Sequence, residues 1–199
     1  MSALDSFKAI VTNSDFQAQG SVTGSLTATL VVGTTSGPIT GTFKVKGGDS
    51  DDSISATLLG ATITYDSIVV GNLAYSRSNG GQWSQSPASG LTLQGFVGSG
   101  IVLTDEGVET KFDKTLHHLT VANIAGVDPS AFGITAGAGR ENLALESLSF
   151  WAAEDGTPAG LSLQASFDQK ILNTPTHETV TLDISIDSLS GVSIAAPTM

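Results

Sequence analysis

The chain contains no cysteine among its 199 residues. That excludes a disulfide framework, a thiolate metal site and a cysteine nucleophile, and leaves the redox compartment open. Positive charge is scarce as well: eight Lys and Arg stand against nineteen Asp and Glu, for a net charge of -11. Nucleic acid would be repelled by such a body, and an anionic membrane surface has no electrostatic hold on it. Charged residues of both signs make up only 14% of the chain. Ser, Thr and Gly are abundant instead, so the surface is solvated by hydroxyls, as in a secreted or cell-surface β protein. No run of about 18 apolar residues exists, so no transmembrane helix is expected. Met1-Ser2-Ala3 leads straight into a polar segment with no leader pattern. Either the chain is cytoplasmic or it represents the part that follows a removed leader.

What is present is a β pattern, clearest between Asp52 and Trp83. Ile54 to Leu59 and Ala61 to Val70 are split by Gly60. Asn72 to Arg77 follows Gly71, and Asn79-Gly80-Gly81 turns the chain towards Trp83. Apolar residues recur at every second position, and glycines punctuate the runs, which predicts an antiparallel meander. The same period continues on both sides. Asp15 to Thr35 carries Phe16, Ala18, Gly20, Val22, Leu26, Ala28 and Leu30, with a bulge or bend expected at Gly24-Ser25. Ile39 to Lys46 alternates cleanly. Gly47 to Asp52 reads as an acidic turn; without the closing glutamate of an EF-hand it is a solvated hairpin tip rather than a calcium loop. Ile101 to Ala122 predicts two strands about a turn near Asp113-Lys114. Asn142 to Ile186 holds the clearest strands, with an apolar and a wet face.

Three stretches break the period. Ala3 to Asn13 places Leu4, Phe7, Ile10 and Val11 on one helical stripe. Ser84 to Gly100 loses β alternation, and its Leu91, Leu93, Phe96 and Val97 suggest a short helix, a lid or a plug for the core. Val127 to Ile134 opens with Asp128 as an N-cap and Pro129 at the first helical position. His117 and His118 are adjacent on a strand and therefore point to opposite faces, so they cannot share a metal; one is expected inside and hydrogen-bonded, the other in solvent. The glycine-rich Ala136 to Arg140 lacks the lysine and hydroxyl of a phosphate-binding loop.

The expected architecture is therefore mainly β: one domain over residues 1–199, built on a curved antiparallel half-barrel sheet of about ten strands. Two or three short helices cover its concave side. So few helices are meagre cover for so large an apolar face. Either the core is filled, or space for a guest remains between the helices and the sheet.

The segment from Ile68 to Arg77, followed by Asn79-Gly80-Gly81-Gln82-Trp83, resembles the VGG-x-x-Y-x-R-x-x-G-x-W stretch of bacterial LppX/LprAFG-type lipoproteins. Leu116-His117-His118-Leu119, Phe150-Trp151 with Asp155-Gly156-Thr157-Pro158, and Val192 to Pro197 are similar to segments of related surface lipoproteins. So is the opening helix followed by a long hairpin. The resemblance implies a fold like that of the LolA and LolB carriers, and a role outside the cytoplasm in the cell envelope. There the protein would bind a lipid or lipoglycan non-covalently and hand it on. It implies no catalytic residue, no metal and no cofactor. The family's lipobox cysteine has no counterpart here, so a lipid anchor to the membrane surface would lie outside these residues.

On this reading the ligand-binding residues are Leu26, Leu30, Phe43, Ile63, Tyr65, Phe96, Phe150, Leu163 and Phe167. Each methylene moved from water into an apolar site gains roughly 0.8 kcal/mol, so two acyl chains gain roughly 20 kcal/mol. A membrane offers nearly the same, which suits exchange rather than storage. Two other readings compete. One is a cell-surface structural or protein-interaction domain with a filled core. The other is an enzyme, for which Glu106, Glu109, Glu141 and Glu146 are the available carboxylates and no nucleophile elbow exists.

Overall fold

The computed structural model describes every residue except 14–19, 89–100, 128–139, 172–173 and 199. The described strands are β1 (Ser21–Val32), β2 (Thr35–Lys46), β3 (Asp49–Leu58), β4 (Ala61–Val70), β5 (Leu73–Ser78) and β6 (Ser84–Pro87). They continue as β7 (Leu103–Lys111), β8 (Lys114–Val121), β9 (Arg140–Ala152), β10 (Pro158–Ile171) and β11 (Thr174–Ser188). All eleven belong to one antiparallel sheet in the order β6-β5-β4-β3-β2-β1-β11-β10-β9-β8-β7. Two meanders thus meet where the first strand pairs with the last. The sheet is open, with β6 and β7 as its edges, and is not a closed barrel.

Register sorts the side chains into two faces, because strand neighbours directly opposite each other point the same way. One lateral row runs Leu161, Ile184, Leu26, Gly41, Ile54, Tyr65; the next runs Leu163, Leu182, Ala28, Ile39, Ala56, Ile63. This is the apolar face. The opposite face carries Ser162, Asp183, Thr27, Thr40, Ser55 and Thr64 in a comparable row. The expected bulge at Gly24 is present as a register shift of β1 against β11 between Thr23 and Gly24. A second irregularity explains a gap in the β9 pattern. Leu145 and Leu148 are three apart, yet both are buried, because a shift at Gln164/Ala165 lets β9 carry an extra residue.

Only one end of the apolar face is sealed by a described helix. Helix α1 (Ala3–Val11) is capped by Ser2, whose hydroxyl accepts from the Asp5 amide at 3.1 Å. It packs on β7, β8 and β9. Phe7, 1% exposed, meets Phe150 at a ring distance of 5.6 Å and joins Leu119, Leu148, Leu161, Leu163 and Ala165 in the main core. Leu4 and Val11 pack beside it. Under the helix the interior is therefore filled.

Several expectations need correction. Ser84 to Pro87 is not irregular but a short edge strand, paired with β5 from Leu73 to Ser76. The acidic tip is smaller than expected: only Gly47 and Gly48 turn, and Asp49 to Asp52 already belong to β3. One α-helix is described, with a single 3-10 turn at Ile124–Gly126. Most of the other two expected helical stretches, and Phe16, lie outside the described residues.

The wet face is not uniformly wet. Beyond His117 the β7–β8 hairpin has no pairing with β9, and its tip bends over the polar face. Phe112, Leu116, Trp151 and Ala159 form a second small core there. Gly160 permits it: a Cβ at that position would collide with the Phe112 ring and the Ile184 carbonyl.

Truncating Phe7 to Ala should cost about 3–5 kcal/mol of unfolding free energy, whereas Ile63 to Ala, on an exposed part of the same face, should change it by about 0.5 kcal/mol or less. Urea unfolding of the two variants checks this; equal losses would mean that the two halves of the face are covered alike.

Candidate functional site

Eight of the nine sequence-selected positions are described, and register puts all eight on the apolar face. They divide into two groups. Phe150, Leu163 and Phe167 are 2–4% exposed; the first two belong to the core under α1. Leu26, Leu30 and Phe43 are half-buried, and Ile63 and Tyr65 are 57% and 45% exposed. These five lie on β1, β2 and β4. Phe96 lies outside the described residues.

The second group forms a shallow apolar surface floored by small residues. Gly41 sits between Leu26 and Ile54, whose side chains would each lie within about 3.3 Å of a Cβ placed there. The Phe43 ring lies over Gly24 of the neighbouring strand in the same way. At one end the surface turns polar. Asp52 stands between Phe43 and Ser67 in register, and Ser50 donates to its Oδ2 at 3.2 Å. Burial raises the Asp52 carboxyl above the ordinary aspartate range, against the lowering effect of the Ser50 hydrogen bond. The patch is thus amphiphilic, with aliphatic rows beside a weakly acidic carboxyl.

The residues that carry the family resemblance have a structural job. Arg77 Nε donates to Asp66 Oδ2 at 2.7 Å, and its guanidinium lies 4.5 Å from the centre of the Trp83 ring. Ser53 donates to the other oxygen of Asp66 at 2.7 Å. The Ser53 hydrogen bond, with that of Arg77, holds the Asp66 carboxyl below its usual range. Tyr75 on the same strand is buried. This cluster ties β3, β4 and β5 to the segment that leads into β6.

The two adjacent histidines point to opposite faces, but neither is simply solvent-facing. His118 stacks on Trp151 at 4.2 Å and bonds Ser149 at 3.0 Å. His117 lies between two carboxylates, with Nδ1 2.9 Å from Asp105 and Nε2 3.0 Å from Glu154. Glu154 belongs to the β9–β10 turn, and Gly156 of that turn is pressed against Ser6 and Phe7 of α1. The imidazole therefore links β7, β8 and the turn on which the helix rests. Among the described residues no cluster of His, Asp and Glu is arranged to hold a metal ion. The four glutamates weighed for glycoside chemistry are spread out: Glu106 accepts from Thr120, Glu146 from Ser166, Glu109 lies 3.5 Å from His118, and Glu141 is exposed.

A second feature, on the polar face, has no sequence motif of its own. The folded-over β7–β8 tip and the polar face of β1 and β11 enclose a cleft of about 340 Å³. Ser25, Thr27, Phe112, Asp113, Lys114, Asp183, Ser185 and Asp187 line it. The tip is pinned by Lys111 Nζ to Asp183 at 2.7 Å and by Lys114 Nζ to the Ile186 carbonyl at 3.3 Å. Ser162 also donates to Asp183. The one sequence signal was an aromatic in a two-residue turn: Phe112 and Asp113 both adopt left-handed backbone (φ 54° and 57°), where Asn-Gly is usual.

Glu154, with Asp105, raises the His117 imidazole above its usual range, the hydrogen bond that Glu154 accepts from the ring being the larger cause. The folded chain then holds that proton more tightly than the unfolded chain. The clasp's contribution is complete below about pH 6.5 and is lost as pH rises through the raised value. Since Glu154 is 93% exposed, solvent screens much of this. His117→Gln should lower Tm at about pH 5.5 and differ less from the parent at about pH 9. An NMR titration midpoint for His117 at or below about 6.5, the value of an unperturbed histidine, would contradict it.

No protein-family model matches the chain, and no curated protein matches it either. Among solved structures it is similar to a DUF1329 family protein from Desulfovibrio piger, at 9% identity and a TM-score of 0.32, over 96% of this chain and 95% of that one. At that distance the likeness assigns neither a family nor a ligand.

Proposed function

We propose that the protein binds a lipid or other acylated ligand non-covalently, outside the cytoplasm in the cell envelope, and passes it on. The observation that supports this is the unequal cover of one continuous apolar face. The same lateral rows that are sealed under Phe7 run on to Ile63 and Tyr65, which remain 57% and 45% exposed. Acyl chains laid along Leu26, Leu30, Phe43, Ile54, Ile63 and Tyr65 would remove apolar surface from water at roughly 25 cal/mol per Å². Asp52 and Ser67 stand beside the Tyr65 row, where the polar end of an amphiphile would find hydrogen-bonding groups. The filled core at Phe150 and Leu163 narrows the site to the β1–β4 half; those residues support it rather than line it.

A shallow surface suits a carrier. A ligand that stays partly wet gains less than the full roughly 0.8 kcal/mol per methylene, so the membrane competes for it easily. An anchor on a segment outside these residues would keep such a carrier close to its source. The second reading, an interaction domain without a ligand, is favoured by the filled interior under α1, and on that reading the exposed rows meet a protein partner. Neither reading calls for catalysis.

The test is lipid extraction and mass spectrometry on protein purified from an envelope-containing host, with Ile63→Asp and Tyr65→Asp in parallel. Co-purified acyl lipid should drop at least about tenfold in the double variant while Tm stays near the parent value. Absence of lipid from the parent protein, together with no binding of a fluorescent fatty acid, would leave the interaction-domain reading.

A further inference from the structure

The polar cleft lies on the other face of the sheet from the exposed apolar rows. It is a built feature. The hairpin tip that forms its roof is held by an ion pair from Lys111 to Asp183, by the Lys114 bond to Ile186, and by Phe112 seated on Gly160 edge-on to Trp151. Its walls mix hydroxyls (Ser25, Thr27, Ser185), carboxylates (Asp113, Asp183, Asp187), one ammonium (Lys114) and one aromatic ring (Phe112). Lys111 and Lys114 are committed to Asp183 and to a backbone carbonyl. Ser25, Thr27, Asp113, Ser185 and Asp187 take part in no side-chain hydrogen bond or ion pair among the described residues. Donors and acceptors not used by the fold thus converge on one space of about 340 Å³, at the lower end of the range of small-ligand pockets.

The chemistry selects the guest. Three carboxylates face two ammoniums, Lys114 in the wall and Lys111 paired with Asp183; the remaining negative balance, on a chain of net charge -11, disfavours a phosphate, a sulfate or an acidic sugar. The cleft also offers no oily interior for an acyl chain. The acidic side chains are not grouped as metal ligands. A ligand bearing many hydroxyls answers each wall group, since every hydroxyl both donates to a carboxylate and accepts from a serine, threonine or lysine. An apolar ring face would meet Phe112.

We propose that this cleft binds a neutral saccharide of about one or two rings. It does not depend on the acyl-binding reading, and the two can fail separately because they use opposite faces.

The test is ligand-observed and protein-observed NMR with maltotriose, cellotriose, mannotriose and galactotriose, each at about 10 mM to reach millimolar affinities. Spermidine and glucuronic acid serve as the cationic and anionic arms. At least one neutral sugar should shift the amides of Ser25, Thr27, Asp113, Lys114 and Ser185, with no shift at Ile63 or Tyr65. Asp113→Asn with Asp187→Asn, both at exposed positions, should weaken it at least about tenfold with an unchanged Tm. If that variant fails to fold, Thr27→Phe fills the cleft from the sheet side and should abolish the shifts. No response to any neutral sugar, a response that survives both variants, or binding of spermidine alone would overturn the proposal.

Discussion

The fold depends on the pairing of the first strand with the last. β1 and β11 meet over ten residue pairs, and without that contact the chain is two separate meanders, each with an unprotected central edge. The closure is long-range, so its entropy cost precedes any reward, although that cost grows only as the logarithm of loop length. What offsets it is lateral continuity. Ile184 lies beside Leu26 and Leu182 beside Ala28, so one apolar face extends through the seam. The register shift at Thr23/Gly24 leaves Gly24 beneath the Phe43 ring, which knits β2 into the same join.

From that seam follows the unequal cover of the sheet. Helix α1 precedes β1 in sequence yet packs on β7, β8 and β9, the far half of the sheet. The described helix thus covers strands that lie far from it in sequence. The β1–β4 half presents the same kind of rows with half-buried and exposed side chains. The His117 clasp reinforces the covered half by fixing the turn against which Phe7 and Ser6 lie. Sealed packing and accessible apolar surface therefore coexist on one face, which is the physical basis of the carrier reading.

Much of this was legible in the sequence because a strand's period is strict. The alternation of Leu161, Leu163, Ala165 and Phe167 gives their common face directly, and the helical stripe of Leu4, Phe7 and Val11 gives α1. Exposure was not legible. Phe150 and Tyr65 follow the same alternation, yet one is packed by Phe7 and the other is half open, since cover is a property of distant elements. Short edge strands were hidden too: Ser84 to Pro87 has no hydrophobic pattern, and only pairing with β5 makes it a strand. The polar cleft was the least visible of all. Asp183 and Asp187 look like ordinary wet-face residues in sequence, but the β7–β8 tip lies over them, an arrangement permitted by Gly160 two strands away from the hairpin.

One apolar face is divided into a sealed and an accessible half. Carbene footprinting with a small diazirine, read residue by residue by mass spectrometry, tests that division directly. The expected result is strong labelling at Ile54, Ile63 and Tyr65 with little at Leu119, Leu148 and Leu163, and suppression of the first group alone when a long-chain fatty acid is added. Equal labelling of the two groups, or no protection of either by the fatty acid, would contradict it.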